Sequence, residues 1–270
     1  MRPRTAHAAR LLASAAVAVV LALSAAGCTT TGSDTTGSIA ATDTPRSDAD
    51  WRRSLDVWSA RYHENPEDAD TALAYARALR ATDQRAQAVA VLEQASIRNP
   101  HNMPLLGAYG RALAEAGSYA QALDALSRAH TPDQPDWRIL NAQGAVLDQM
   151  GRHAEAQRIY ATALKIVPSE PSVLSNLGLS YALTKDLKHA ESTLRRAVAQ
   201  PNANPKVRQN LALVVGLQGR FAEAENIARA DLPEDEALAN VSYLRQMLAQ
   251  QNERQKTGQR PYVPPPDAGS

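Results

Sequence analysis

The chain has 270 residues and a formal net charge of +1 at neutral pH, and 44% of its residues are apolar whereas only 4% are aromatic. A core built from such residues consists mainly of alanine, leucine and valine, which favours helices over strands. The near-neutral charge argues against nucleic acid as a partner, because nucleic-acid-binding domains concentrate positive charge.

The N-terminus has the pattern of an export signal. Arg2, Arg4 and Arg10 precede an apolar run over residues 11–27 that only two serines interrupt. This run is short for a permanent helix across a hydrocarbon core of about 30 Å. We therefore predict a signal peptide over residues 1–27. Its removal takes away three arginines and changes the net charge from +1 to −2.

Cys28 is the only cysteine, and it follows Ala25, Ala26 and Gly27. These four residues resemble a bacterial lipobox, in which the chain is cut just before the cysteine and the thiol receives acyl chains such as palmitate. The resemblance implies a lipid anchor at Cys28, and Thr29 in place of aspartate implies the periplasmic face of the outer membrane. Two or more acyl chains anchor a protein stably. Since Ala25 stands where leucine is commoner, cleavage by ordinary signal peptidase and release into the soluble periplasm is the alternative.

Residues 28–50 are predicted to form the lipidated cysteine and a flexible linker, because this stretch has almost no bulky apolar side chain. A tether of this length spans on the order of 25 Å. Helical spacing of apolar residues then begins, at Trp51, Leu55, Trp58 and Tyr62. This segment ends at Asn65-Pro66, a dipeptide that recurs as Asn99-Pro100 at the end of the next block. We interpret the segment as the second helix of an incomplete repeat.

Five blocks beginning at residues 69, 103, 137, 171 and 205 repeat a small-residue pattern with a constant period. The eighth and twentieth positions of every block are alanine or glycine. Two helices approach to about 8 to 10 Å only where one side chain is nearly absent. We therefore predict that helices cross at Ala76, Gly110, Gly144, Gly178, Ala212, Ala88, Ala122, Ala156, Ala190 and Ala224.

The larger residues of the blocks follow a pattern that resembles the tetratricopeptide repeat (TPR) family. The matching residues are Leu177, Gly178, Tyr181 and Ala190 in the fourth block and Gly144, Ala156, Tyr160 and Pro168 in the third. The resemblance implies an all-α, right-handed solenoid of about five helical hairpins over residues 51–252, preceded by a partial repeat.

Past the fifth block the pattern breaks at Pro233, and apolar residues continue at helical spacing. These residues are Leu238, Val241, Leu244, Met247 and Leu248. The stripe predicts a C-terminal capping helix over residues 234–252, because a solenoid otherwise exposes the apolar face of its last hairpin. Four prolines predict a disordered tail over residues 253–270.

The sequence offers little support for catalysis. The six histidines show no metal-ligand spacing and lie near no candidate nucleophile, and no glycine-rich phosphate loop is present. We predict a protein that is not an enzyme and needs neither cofactor nor metal. A cell wall enzyme or its activating subunit is the alternative from a different class.

A peptide groove is the predicted binding site, because solenoids of the resembled family bind proteins through the concave face lined by first helices. In that family an asparagine at the sixth position often hydrogen-bonds a ligand backbone. The candidates are Asn176, Leu179 and Leu183 in the fourth block and Asn210, Leu213 and Leu217 in the fifth. The alternative is that the capping helix folds over these leucines.

A narrower resemblance covers residues 137–248. It rests on Trp137-Arg138-Ile139-Leu140-Asn141, on the Asp231-Leu232-Pro233 break and on Ala239-Asn240-Val241-Ser242-Tyr243-Leu244-Arg245. These segments resemble the TadD-type TPR lipoproteins of tight adherence (Flp) pilus assembly. The resemblance implies pilus and secretin proteins as partners. A type IV pilus pilotin, another envelope adaptor or a soluble periplasmic chaperone are the alternatives.

Overall fold

The computed structural model describes residues 47–257, and this part of the chain contains twelve helices and no strand, apart from an isolated bridge between Thr131 and Gln134. The helices are α1 Asp48–Glu64, α2 Ala69–Ala81, α3 Arg85–Arg98, α4 Met103–Glu115, α5 Tyr119–Ser127, α6 Trp137–Gln149, α7 His153–Ile166, α8 Pro171–Leu183, α9 Leu187–Val198, α10 Pro205–Leu217, α11 Phe221–Ala228 and α12 Glu234–Thr257. The predicted all-α architecture is confirmed.

Ten of these helices, α2 to α11, form five consecutive hairpins, which we number 1 to 5. Their first helices begin at residues 69, 103, 137, 171 and 205, which are the starts of the five sequence blocks. In each case the side chain just before the helix accepts a hydrogen bond from an N–H of the first turn. The capping residues are Asp68, Asn102, Asp136, Glu170 and Asn204.

Every hairpin turns at one residue with a positive φ angle, and these residues recur with the period of the blocks. They are Asp83 (61°), Gly117 (80°), Gly151 (73°), Lys185 (65°) and Gly219 (81°). The following N–H donates back to a carbonyl near the end of the first helix, as from Ser118 to Leu113 at 2.9 Å. This left-handed turn ends the first helix and reverses the chain.

In hairpins 2 to 4 a second-helix side chain fills the space over a glycine of the first helix. A Cβ atom at Gly110 would lie 2.6 Å from Cγ of Leu126, and one at Gly178 would lie 2.7 Å from Cγ of Leu194. All ten small residues proposed for the crossings are buried.

The described helices belong to two compact units, of which the first ends at Pro168 and the second begins at Ser169. Unit 1 contains α1 and hairpins 1 to 3. Unit 2 contains hairpins 4 and 5 and the capping helix α12. The core of unit 2 includes Leu194 of α9, Leu211 and Val214 of α10 and Val241 of α12.

Two predicted boundaries differ from the structure. Helix α1 begins at Asp48, because the Ser47 hydroxyl accepts from the Asp50 N–H at 3.2 Å while the Asp50 carboxylate accepts from the Ser47 N–H at 3.1 Å. The linker predicted through Asp50 therefore ends before Asp48. Helix α12 extends to Thr257, beyond the predicted end of the cap at residue 252, because helix-forming residues continue up to Gly258.

The predicted signal peptide, the lipidation candidate Cys28 and the tail after Thr257 lie outside the described residues. Among residues 47–257, no helix combines the length and the apolar character that crossing a membrane requires.

Candidate functional site

The six predicted peptide-binding residues lie on the first helices of hairpins 4 and 5, α8 and α10, which pack against each other in unit 2. Each of the six side chains is partly buried. Leu177 and Leu211, one position after the asparagines, are buried at 7% and 3% exposure. The two helices therefore bury one face and leave the asparagines and their leucines partly open to solvent.

A hydrogen bond connects the two helices at this surface. The Asn210 amide nitrogen donates to the hydroxyl of Ser175 at 2.9 Å, and Ser175 is only 4% exposed. The Asn210 amide oxygen has no hydrogen-bond partner among the described residues. This bond fixes the orientation of the amide and leaves its oxygen able to accept an N–H from a ligand.

The capping helix α12 packs beside these residues, on α10 and α11. A Cβ atom at Gly216 would lie 2.5 Å from Cδ2 of Leu244, and Ala237 packs with Ala212 and Ala228. Leu213 and Leu217 keep part of their surface in solvent. The contacts of α12 thus include Ala212 and Gly216, and its Val241 packs in the core with Leu211 and Val214.

Helix α12 repeats the motif of the two first helices. Asn240-Val241-Ser242-Tyr243 aligns with Asn176-Leu177-Gly178-Leu179 and with Asn210-Leu211-Ala212-Leu213. The structure agrees with this alignment, because Val241 is 6% exposed whereas Tyr243 is 53% exposed. One turn after Tyr243 comes Met247, the counterpart of Leu183 and Leu217. Asn240, Tyr243 and Met247 are candidate site residues that the period of the blocks did not identify.

We call the resulting surface the asparagine–leucine ladder. It comprises Asn176, Leu179, Leu183, Asn210, Leu213, Leu217, Asn240, Tyr243 and Met247.

A partly buried ion pair fixes the chain between α11 and α12. The Arg208 Nε atom donates to Asp231 at 2.6 Å, and the Asp231 side chain is only 8% exposed. The hydrogen bond to Asp231 raises the pKa of Arg208. Asp231 belongs to the break in the repeat pattern, so this pair holds the segment that positions the third part of the ladder.

The titratable side chains of hairpin 3 form a local structural cluster. The Tyr160 hydroxyl donates to Asp148 at 3.2 Å, and His153 Nδ1 lies 2.8 Å from the same carboxylate. Burial raises the pKa of Tyr160 well above its ordinary value, and the nearby charge of Asp148 acts in the same direction. Among residues 47–257, no group of three or more histidine, cysteine, aspartate or glutamate side chains could hold a metal ion.

Comparison with known families identifies the repeats. Residues 83–145 and residues 141–205 each match a family model described as a tetratricopeptide repeat. The chain has the tetratricopeptide repeat fold. This TPR fold is a scaffold for protein–protein interaction, because stacked repeats create extended binding surfaces. No curated protein has a matching sequence.

Solved structures share this fold at low sequence identity. PilW, described as a widely conserved type IV pilus biogenesis factor, matches with a TM-score of 0.63 and 17% identity over 72% of this chain and 91% of PilW. TTC0263, a thermophilic TPR protein of Thermus thermophilus, matches with a TM-score of 0.57 and 22% identity over 67% of this chain and all of its own length. These likenesses establish the fold alone.

A chain of the APC/C hetero-tetramer Cut9–Hcn1 also matches, with a TM-score of 0.59 and 18% identity. The match covers 73% of the TPR chain described here and 40% of the Cut9–Hcn1 chain. The chain thus spans less than half the length of that relative.

Proposed function

We propose that the chain is a non-enzymatic TPR scaffold that captures an extended segment of a partner protein on the asparagine–leucine ladder. The ladder carries this proposal, because three neighbouring helices of unit 2 each place an asparagine one turn before a large apolar residue. The amide groups can exchange hydrogen bonds with a peptide backbone, while the apolar residues contact alternate side chains.

The proposed setting is the periplasmic face of the bacterial outer membrane, with Cys28 as the lipidated residue. The proposed partners are proteins of a tight adherence (Flp) pilus and its secretin. Support comes from the lipobox-like residues before Cys28 and from the TadD-type segments at Asp231-Leu232-Pro233 and around Asn240. Anchoring both partners at one membrane raises their effective concentration to the millimolar range, so weak contacts at the ladder suffice.

We expect mass spectrometry of the mature protein to find an N-terminal Cys28 that carries acyl chains, in the outer membrane fraction. Cleavage immediately before Cys28 and acylation are what a lipobox directs. A free N-terminus near Gly27 in the soluble fraction would instead favour the soluble periplasmic chaperone, and it would leave the ladder proposal standing.

The double variant Asn210→Ala with Leu213→Ser is expected to abolish assembly of Flp pili, counted by electron microscopy of cells that produce normal amounts of the protein. The changes remove one amide and one apolar contact from the middle of the ladder. Circular dichroism should show unchanged helicity, because both side chains are partly exposed.

Ile97→Ser is the matched control, since Ile97 is 68% exposed and lies in hairpin 1. We expect normal pili in this variant. Normal pili in the double variant would exclude the ladder as the functional surface.

A further inference from the structure

Hairpins 1 to 4 close through the same pair of positions, whereas hairpin 5 has alanine at both, Ala212 and Ala228. The small residue at the eighth position of the first helix is covered by a larger residue at the twenty-fourth position of the block, on the second helix. Gly110 is covered by Leu126, and Gly178 by Leu194. The covering residues of hairpins 1 to 4 are 0% to 1% exposed. A small residue at the eighth position with no residue over it therefore indicates a missing second helix. A large residue at the twenty-fourth position that covers nothing indicates a missing first helix.

Helix α1 has the pattern of a second helix, and no first helix precedes it within residues 47–257. Its Leu55 and Tyr62 pack against the core of hairpin 1, yet α1 has no buried residue. Trp58 stands one full period before Leu92, in the covering position. The Trp58 ring is partly exposed, with the Arg61 guanidinium 4.8 Å from its centroid. Within residues 47–257, Trp58 thus covers no small residue of a preceding helix.

Helix α12 presents the opposite defect, because it has the pattern of a first helix and no second helix follows it within the described range. Ser242 aligns with the small residues Gly178 and Ala212, but its side chain is exposed. One turn before it, Leu238 is 49% exposed. No later helix of the described residues thus supplies a large residue to cover Ser242.

We propose that α1 of one copy docks on α12 of a second copy, with Trp58 over Ser242, and completes a composite hairpin. The two helices would run antiparallel, as in the other hairpins. The acidic first turn of α12, with Asp235 and Glu236, then lies near Arg61 in the last turn of α1. Helix α1 lacks a first helix and α12 lacks a second helix, so each can supply what the other lacks. Together with the charge complementarity, this identifies a second copy of the chain as the partner that covers α12.

The proposed contact joins two different surfaces, so each added copy leaves one free α1 and one free α12. Such a heterologous contact builds chains that either grow or close into rings. This inference concerns the ends of the repeat array and does not rest on the proposed function.

Disulfide trapping tests the register of the contact. Ser54 stands one full period before Ala88 and so occupies the twentieth position, next to the eighth at each crossing. A Cβ atom at Gly178 would lie 3.2 Å from the carbonyl oxygen of Ala190, for example. Purified protein with Cys28→Ala, Ser54→Cys and Ser242→Cys should therefore form disulfide-linked dimers and larger species on mild oxidation, visible on non-reducing gels.

The control for trapping pairs Ser59→Cys with Ser242→Cys, because Ser59 lies five positions from Ser54 on a different side of α1. We expect little cross-linking in the control and in each single-cysteine variant. Absence of disulfide-linked species in the Ser54–Ser242 pair, or equal cross-linking in the control, would overturn the proposal.

Sedimentation analysis tests the same contact without engineered thiols. In the Cys28→Ala background, Trp58→Ala and Ser242→Arg should each raise the apparent dissociation constant for self-association by about tenfold or more. Each variant keeps one intact end. An equimolar mixture of the two should therefore recover dimers and form nothing larger, whereas a background protein that stays monomeric, or a mixture without dimers, would contradict the contact.

Discussion

Replacing Gly178 with leucine is expected to lower the free energy of unfolding by about 2 kcal/mol or more. The new side chain would have to enter space that Leu194 fills, since even a Cβ atom would lie 2.7 Å from its Cγ. The carbonyl oxygen of Ala190 lies 3.2 Å from the same point and belongs to the backbone, so a change of rotamer alone cannot relieve the overlap. The better helix propensity of leucine offsets about 1 kcal/mol of this cost.

Urea denaturation followed by circular dichroism measures this effect, with Ser192→Leu as the control for adding a leucine to hairpin 4. Ser192 lies on α9 and is exposed, so we expect a change within about 0.5 kcal/mol. Equal stability of Gly178→Leu and the unaltered protein would show that α8 and α9 do not cross at Gly178.

The start of every first helix was predictable because two independent signals coincide there. The spacing of the small residues sets the period, since only alanine or glycine lets the helices cross closely. A side chain such as Asn102 or Asn204 caps the helix just before each block. Both signals are local and therefore appear in a single sequence.

The hairpin turns could be predicted from the sequence only in part. Glycine occupies the positive-φ position in three hairpins, whereas Asp83 and Lys185 occupy it in the other two. A non-glycine residue incurs a steric penalty in this conformation, and the packing of the hairpin supplies the compensation. Sequence alone does not show that compensation.

The third part of the ladder escaped prediction because the spacing changes. Counting one full period from Leu213 leads to Met247, but the residue that aligns with Leu213 is Tyr243, one helical turn earlier. The shift arises because α11 is short and ends at Ala228, before the Asp231-Leu232-Pro233 break. The alignment of Asn240-Val241-Ser242-Tyr243 with the earlier motifs was present in the sequence. A search at a fixed period passes over it.

Whether the capping helix covers the predicted leucines depends on tertiary packing. The apolar stripe of α12 predicts a buried face but does not specify the surface that receives it. The structure places Leu244 against Gly216. Because Gly216 has no side chain, Leu244 can pack directly on α10. Neither the period of the sequence blocks nor the hydrophobic pattern of α12 indicates this contact.

Acid is expected to destabilise unit 2 through Glu191, which connects hairpins 4 and 5 next to the ladder helices. The Glu191 side chain is 15% exposed. It accepts hydrogen bonds from Gln218 at 2.8 Å, from Arg195 at 2.7 Å and from Arg220 at 2.8 Å. Burial alone would raise the pKa of Glu191, but these hydrogen bonds and the charge of Arg220 outweigh it and lower the pKa from 4.5 to about 2.

The sign of the pH effect follows from this lowered pKa. The folded state holds the Glu191 proton less tightly than the unfolded state does, so the ionised carboxylate stabilises the fold above about pH 5. This contribution of roughly 1 to 3 kcal/mol disappears as the pH falls from about 5 towards 2. Glu191→Gln should therefore lower stability at neutral pH, and its effect should shrink steadily in acid.

Urea denaturation of Glu191→Gln and of the unaltered protein, at several pH values between about 7 and 3, separates charge from packing. Glu155→Gln is the matched control, because Glu155 also pairs with an arginine, Arg152, but lies exposed at 42%, where solvent weakens such a pair. A loss of stability in Glu191→Gln that is equal at all pH values would mean that Glu191 acts by shape and neutral hydrogen bonds. A loss confined to the higher pH values would show that the charge of Glu191 holds the two ladder hairpins together.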